Sequence, residues 1–168
     1  KVNVVELYSR VYKRIGMNDT HDVNELWKIT KGDEKVWNIY KAGAVMGINQ
    51  VEQYGTAKRV TKYAPKNISE LSAFVAAVRP GFKSMYHIFE SREPFSYNIK
   101  EFDDLIQTDE MPNSFVLYQE QSMAAMGFAG IHMDRTYEVI KSIAKKRYDD
   151  VISAKEQFVN GFFNVTKN

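Results

Sequence analysis

Four cations fall inside seven residues, at Lys141, Lys145, Lys146 and Arg147, and Arg135 lies a short way upstream. Ammonium and guanidinium groups at that density can neutralise an oligophosphate and donate charge-assisted hydrogen bonds to its oxygens. At the C-terminal end of a helix the same residues could do no more than complement the helix dipole. The residue types alone leave both readings open. Arg79, directly before Pro80 and Gly81, has the same two-way character, as a phosphate contact or as the brace of a turn. Polar side chains concentrate at two further places, Gln50 with Glu52 and the run Tyr118-Gln119-Glu120-Gln121. In an extended segment Gln50 and Glu52 share one face, where they could approach a ligand or bond within the fold. Four consecutive residues on a helix fan around most of its circumference, so Tyr118 is expected to pack and Glu120 or Gln121 to join a polar network.

Acidic chemistry has no comparable cluster. Metal-assisted phosphoryl transfer needs carboxylates converging on cations roughly 4 Å apart, and no D-x-D occurs in the chain. Asp103-Asp104 and Asp149-Asp150 are adjacent pairs whose side chains diverge, and both pairs are expected at the solvated surface. His21, His87 and His132 have no ligand spacing to one another, and the absence of cysteine excludes disulfides and thiolate metal sites. No Walker A motif, dinucleotide glycine motif or G-x-S-x-G is present. Met123, Met126 and Met133 are expected to fill core space.

The elements that must carry these residues are helical. Across 168 residues with 44% hydrophobic and 13% aromatic content there is enough apolar material for one core, and the formal charge of +2 means that any anion-binding surface comes from local clustering. No apolar run is long enough to span a bilayer. Val4, Leu7, Tyr8, Val11, Tyr12 and Ile15 recur at helical spacing, with Gly16 placed as a C-cap. Asp22 and Glu25 form a capping-box pattern for a short helix through Trp27, and Asp33 caps another that ends at Gly43. Gly43 to Val51 reads as loop or strand, and Pro65 and Asn67 break the pattern. A helix from Ser69 ends at Pro80-Gly81, Glu93-Pro94 marks an irregular connection before a segment over 99–106, and later helices are expected over 115–126, 134–145 and 148–162. The fold class is mainly α, one helical domain over 1–168. The chain opens at Lys1 without a methionine, as a segment of a longer protein would.

These landmarks, in this order, resemble the fingers domain of the bacterial replicative DNA polymerase III alpha subunit, a C-family polymerase. Over Ile29 to Gly81, Trp37 and Tyr40 fall on its apolar helix positions and Gln50-Val51-Glu52 on its "FQLES" segment. Gly55, Pro65 and Arg79-Pro80-Gly81 fall on its Gly, Pro and "RPG". Tyr118 to Gln121 is identical to its "YQEQ", Phe128-Ala129-Gly130 matches "LAG", and Lys145-Lys146-Arg147 fall on its lysine cluster. Phe158 to Phe162 resembles its "F-x-x-G" helix end. The departures are Asn49 for an aromatic, Phe82 for a proline, Ala144 for a glycine, and Ile140-Lys141 where the family has two arginines that contact triphosphate.

The resemblance implies a fingers segment of a DNA-directed DNA polymerase, its first helix following a palm that lies outside the chain. Lys141, Lys145, Lys146, Arg147 and Arg79 would bind nucleotide phosphate, and Gln50, Glu52, Gln119 and Gln121 would lie near primer-template. Partners would be primer-template, deoxynucleoside triphosphate and the other polymerase domains, with a sliding clamp reached only through other regions and no membrane contact. No catalytic or metal-binding residue is expected in the segment, which alone would be inactive. Mg²⁺ would be held by the palm, and the location would be cytoplasmic. The alternative is a non-catalytic helical module that docks on DNA or a replication protein.

Overall fold

The structure is a computed structural model and describes residues 2–16, 28 and 31–167. The predicted capped helix at Asp22 to Trp27 lies outside the described residues. Elements run α1 (Val2–Arg14), α2 (Glu34–Lys41), α3 (Tyr54–Tyr63), α4 (Ile68–Ala77), a 3₁₀ turn (Pro80–Phe82), α5 (Tyr86–Ser91), α6 (Lys100–Ile106), α7 (Gln119–Phe128), α8 (Met133–Ala144) and α9 (Tyr148–Thr166). Among the described residues the only β feature is an isolated bridge between Thr108 and Met111, so the chain is mainly α as the periodicity predicts.

Two apolar cores organise it. The first gathers α2 to α5 around Trp37, Val51, Val60, Tyr63, Phe74, Phe89 and Phe115. Its rings interlock: Tyr63 stacks on Phe89 at 4.8 Å and Phe95 on Phe115 at 4.8 Å. Arg92, left-handed at φ 60°, ties the ends of α3, α4 and α5 together. Its guanidinium donates to both Glu70 oxygens at 2.8 and 2.9 Å and to the Tyr63 and Ala64 carbonyls, while lying 4.4 Å over the Tyr63 ring. The second core joins α6 to α9 through Phe102, Ile106, Ala125, Met126, Val139 and Ala154, with Phe158 packed on both halves of it.

The stretch between α6 and α7 belongs to both. Phe115 and Leu117 point into the first core and Val116 into the second, the alternation of an extended chain. That period of two is why the predicted helix over 115–126 begins only at Gln119, with Tyr118 as its N-cap at φ −111°. Other boundaries also move. Asn67 is a cap rather than a break, its Oδ1 accepting from Glu70 N at 2.8 Å. Gln50 is not extended: it turns left-handed at φ 69°, so it and Glu52 do not share a strand face. Glu52 instead accepts from Gly47 N at 3.1 Å. The helices at α3 and α5 have no counterpart in the expected pattern.

Asp103 departs furthest from expectation. It is buried at 8% exposure rather than solvated. Its carboxylate accepts from the Ser114 and Ser96 hydroxyls and from the Tyr97 and Ile99 N–H groups, tying both sides of the inter-core segment to α6. Burial pushes its pKa up, but the four hydrogen bonds outweigh it and hold the carboxyl below its usual value. Asp104 is exposed and pairs with Lys100. Met126 is buried as expected, whereas Met133 is 54% exposed. The "F-x-x-G" glycine lies inside α9 rather than at its end. A Cβ on Gly161 would sit 1.8 Å from the Ala129 carbonyl oxygen, so α9 crosses the α7–α8 turn in backbone contact.

Two outcomes follow. Gly161→Ala, which must move backbone, lowers stability in urea unfolding by about 3 kcal/mol, whereas Gly127→Ala, whose nearest neighbour is the flexible Met133 Cε at 3.9 Å, changes it little or raises it. Asp103 has a depressed folded pKa, so its contribution is full above its unfolded pKa of about 3.9 and is lost as pH falls through the folded value. Asp103→Asn loses about 2–4 kcal/mol at pH 7, and its unfolding free energy changes less than wild type below pH 4.

Candidate functional site

Helix α8 ends because its carbonyls are taken up by a tight reversal. Lys145 N bonds to Lys141 O, Lys146 N to Ile143 O and Arg147 N to Ser142 O. Lys146 takes the left-handed conformation at φ 55° that lets the chain turn and start α9 at Tyr148. Ser142, buried on α8, donates through Oγ to Asp150 Oδ2 at 3.0 Å, so the first turn of α9 is locked to the last turn of α8. The turn therefore displays Lys145, Lys146 and Arg147 in solvent, with Lys141 one turn back on α8. Lys141 Nζ lies 5.3 Å from the centre of the Tyr137 ring. None of the four cations is paired with a carboxylate among the described residues.

Asp149 and Asp150 sit in the first turn of α9, where they favour that helix end and oppose an anion on it. Four cations against two carboxylates leave the turn net positive. Ile140 is half-buried against Met126, Ile131, Val139 and Ala154. A guanidinium there would have to leave the core or be buried unpaired.

Arg79 is elsewhere. It lines a groove of about 480 Å³ between α4 and the start of α7, with Leu71, Ser72, Val75, Leu117, Tyr118, Gln119 and Glu120; no cation of the α8–α9 turn lines it. Arg79 is exposed and makes no hydrogen bond or ion pair through its side chain among the described residues, so it does not brace the turn it opens. Gln119 and Glu120 are exposed at this groove. Gln121 is occupied within the fold: its Oε1 accepts from Leu117 N at 2.8 Å and Tyr118 N at 3.1 Å, and its Nε2 donates to Ile106 O at 3.1 Å. Tyr118 is half-buried, its hydroxyl 3.3 Å from Ser72 Oγ. Of the nine expected site residues, the structure thus gathers Lys141, Lys145, Lys146 and Arg147 at one turn and Arg79 with Gln119 at one groove. Gln50 and Glu52 stay in the loop before α3. His87 and His132 are exposed on separate elements, and the described residues contain no group of three or more His, Asp or Glu side chains placed to hold a metal.

This arrangement has relatives. Residues 6–165 match the model of the bacterial DNA polymerase III alpha subunit finger domain. The chain belongs to this family. DNA polymerase III subunit alpha of Ureaplasma parvum serovar 3 is 27% identical over 163 residues, which cover 94% of this chain and 16% of that protein. The subunit of Aquifex aeolicus is 24% identical over 147 residues, 83% of this chain and 12% of the relative. That of Thermotoga maritima is 28% identical over 130 residues, 77% of this chain and 15% of the relative. The fingers chain therefore spans less than a fifth of the length of these relatives. Among its described residues no helix is long and apolar enough to cross a membrane.

The left-handed Lys146 gives this fingers domain a measurable signature. Lys146→Gly removes a left-handed penalty of about 1–2 kcal/mol against an added backbone entropy of about 0.5–1 kcal/mol. It is expected to raise stability slightly in urea unfolding, while Lys146→Ala leaves it within about 0.5 kcal/mol of wild type.

Proposed function

We propose that this chain is the fingers segment of a DNA-directed DNA polymerase, holding the incoming deoxynucleoside triphosphate and the primer-template during replication. Palm carboxylates outside the chain would hold Mg²⁺ and carry the chemistry. The observation that supports this most is the α8–α9 turn, which presents four cations without a carboxylate partner among the described residues, on a family fingers scaffold. Their role is positioning and charge neutralisation of phosphate oxygens. Because Lys141 is an ammonium and Ile140 is apolar, phosphate would be met by three lysine point charges and the single guanidinium fork of Arg147 rather than by two adjacent arginines. Arg79 and Gln119 would act from the α4–α7 groove on a different part of the substrate, toward the primer-template. The chain on its own would be inactive, and a bacterial replication protein of this kind works in the cytoplasm.

One observation favours a second reading. The burial of Ile140 at a position where the family resemblance has arginine fits a non-catalytic helical module that docks on DNA or a replication protein. The gene around this chain separates the two: a D-x-D and a further Asp upstream belong to the enzyme.

In the polymerase carrying this chain, Lys141→Ala or Lys145→Ala removes a charge-assisted contact of about 1.5–3 kcal/mol. The effect is a rise in the half-saturating nucleotide concentration if the contact is equally strong in ground and transition states, or a fall in kcat if it forms only on closure. Thermal unfolding followed by circular dichroism changes little, since both side chains are solvated. Unchanged nucleotide kinetics in both variants would reduce the turn to a solvated helix end.

A further inference from the structure

The most exposed large apolar side chains among the described residues are not at the α8–α9 turn. They are Met46 and Tyr54, at 90% and 87% exposure, on either side of the loop that leads into α3. That loop is framed rather than slack. Val45 and Val51 are buried at 2% and 1% and anchor it in the first core. Ile48 N bonds to Val45 O at 3.1 Å, Val51 N and Glu52 N both bond to Ile48 O, and Glu52 reaches back to Gly47 N. Gln50 sits left-handed within this frame. Tyr54 is then the first residue of α3, held out from a backbone whose neighbours on both sides are fixed.

Helix α3 carries Lys58, Arg59 and Lys62 and no acidic residue. Tyr54, Lys58 and Lys62 are spaced by four and share one face, opposite the buried Val60 and Tyr63. Two of the cations are engaged: Lys62 pairs with Glu90, and the Arg59 guanidinium lies 5.0 Å from the centre of the Tyr86 ring. Lys58 has no carboxylate partner among the described residues. An aromatic ring held in water beside an uncompensated cation, on a rigid frame, has the two elements that bind unpaired nucleotides: a face for a base and a charge for its phosphate.

We infer that the Tyr54–Lys58 face of α3 is a second binding surface, for single-stranded nucleic acid, separate from the α8–α9 turn. A base stacks on Tyr54, and Lys58 pairs with the adjoining phosphate. The positive charge of α3 selects an anionic partner over a basic or neutral one, and the ring of Tyr54, exposed beside it, favours a polyanion that carries flat bases over an acidic protein face. Stacking needs an open base, so the surface discriminates single strands from duplex. It goes beyond the phosphate role of the α8–α9 turn and is tested apart from it.

The test is fluorescence anisotropy of fluorescein-labelled (dT)₂₀ with the full chain, from 50 to 200 mM salt. Wild type is expected to bind; Tyr54→Ala weakens binding about tenfold or more, and Tyr54→Phe retains most of it. Lys58→Ala lowers the slope of log affinity against log salt by about 0.7. Tyr54→Ala leaves the weaker binding of a 20-base-pair duplex unchanged. The loss from Tyr54→Ala persists in a Lys141→Ala, Lys145→Ala background. Two results overturn the inference: no binding of (dT)₂₀ by wild type, or binding abolished by the Lys141 and Lys145 changes but indifferent to Tyr54→Ala. The second leaves the phosphate role of the α8–α9 turn standing. Circular dichroism of each variant verifies that the fold is kept, which the solvent exposure of Tyr54 and Lys58 favours.

Discussion

The Asp103 carboxylate is the interaction on which the rest of the architecture leans. A buried charge is tolerated only when donors surround it, and four donors converge here from Ser96, Tyr97, Ile99 and Ser114. Those residues flank the two arms that leave and re-enter the first core at Phe95 and Phe115. By fixing both arms to α6, Asp103 sets the register in which Phe115 enters one core and Val116 the other. Gln121 completes the junction from the other end by taking the N–H groups of Leu117 and Tyr118. Two helical clusters are thereby made one unit.

The basic turn is built on the opposite principle. Asp103 is charge surrounded by donors, whereas the side chains of Lys145, Lys146 and Arg147 are donors without an acceptor among the described residues. Their placement is secured by other groups, through the Ser142 to Asp150 bond and the backbone bonds of the reversal. Stability and availability are thus separated: the groups that hold the turn are not the groups that face solvent. Ile140 belongs to the holding set and Lys141 to the facing set, so neighbouring positions on α8 serve different ends because they lie 100° apart around the helix.

Much of this was legible in the residues. The mainly helical class, the caps at Asp33 and the stop at Pro80-Gly81 follow from local chemistry, and the clustering of Lys141 with Lys145 to Arg147 follows from spacing alone. The misses have physical causes. Helix α3 contains Gly55, Thr56, Val60 and Thr61, poor helix formers held helical by burying Val60 and Tyr63, a tertiary effect that propensity does not carry. Asp103 looks like any surface carboxylate until Ser96 and Ser114 are brought to it from 7 and 11 residues away. Gln121 hides in the same manner, as a polar residue in a polar run whose partners are backbone atoms. Arg79 and Gln119 are 40 residues apart in sequence and meet only because α4 packs beside the start of α7. Their shared groove had no signal in either segment.

The close crossing at Gly161 fixes more than a packing distance. It is a pivot, and the basic turn lies at the end of the arm. From Gly161 to Tyr148 the helix runs 13 residues, about 20 Å at 1.5 Å per residue. A tilt of about three degrees about that point carries the cations through roughly 1 Å, a displacement large enough to spoil a positioned contact. The accuracy with which Lys145 and Arg147 are placed is therefore a matter of angular stiffness, set at the far end of the helix by a residue that has no side chain.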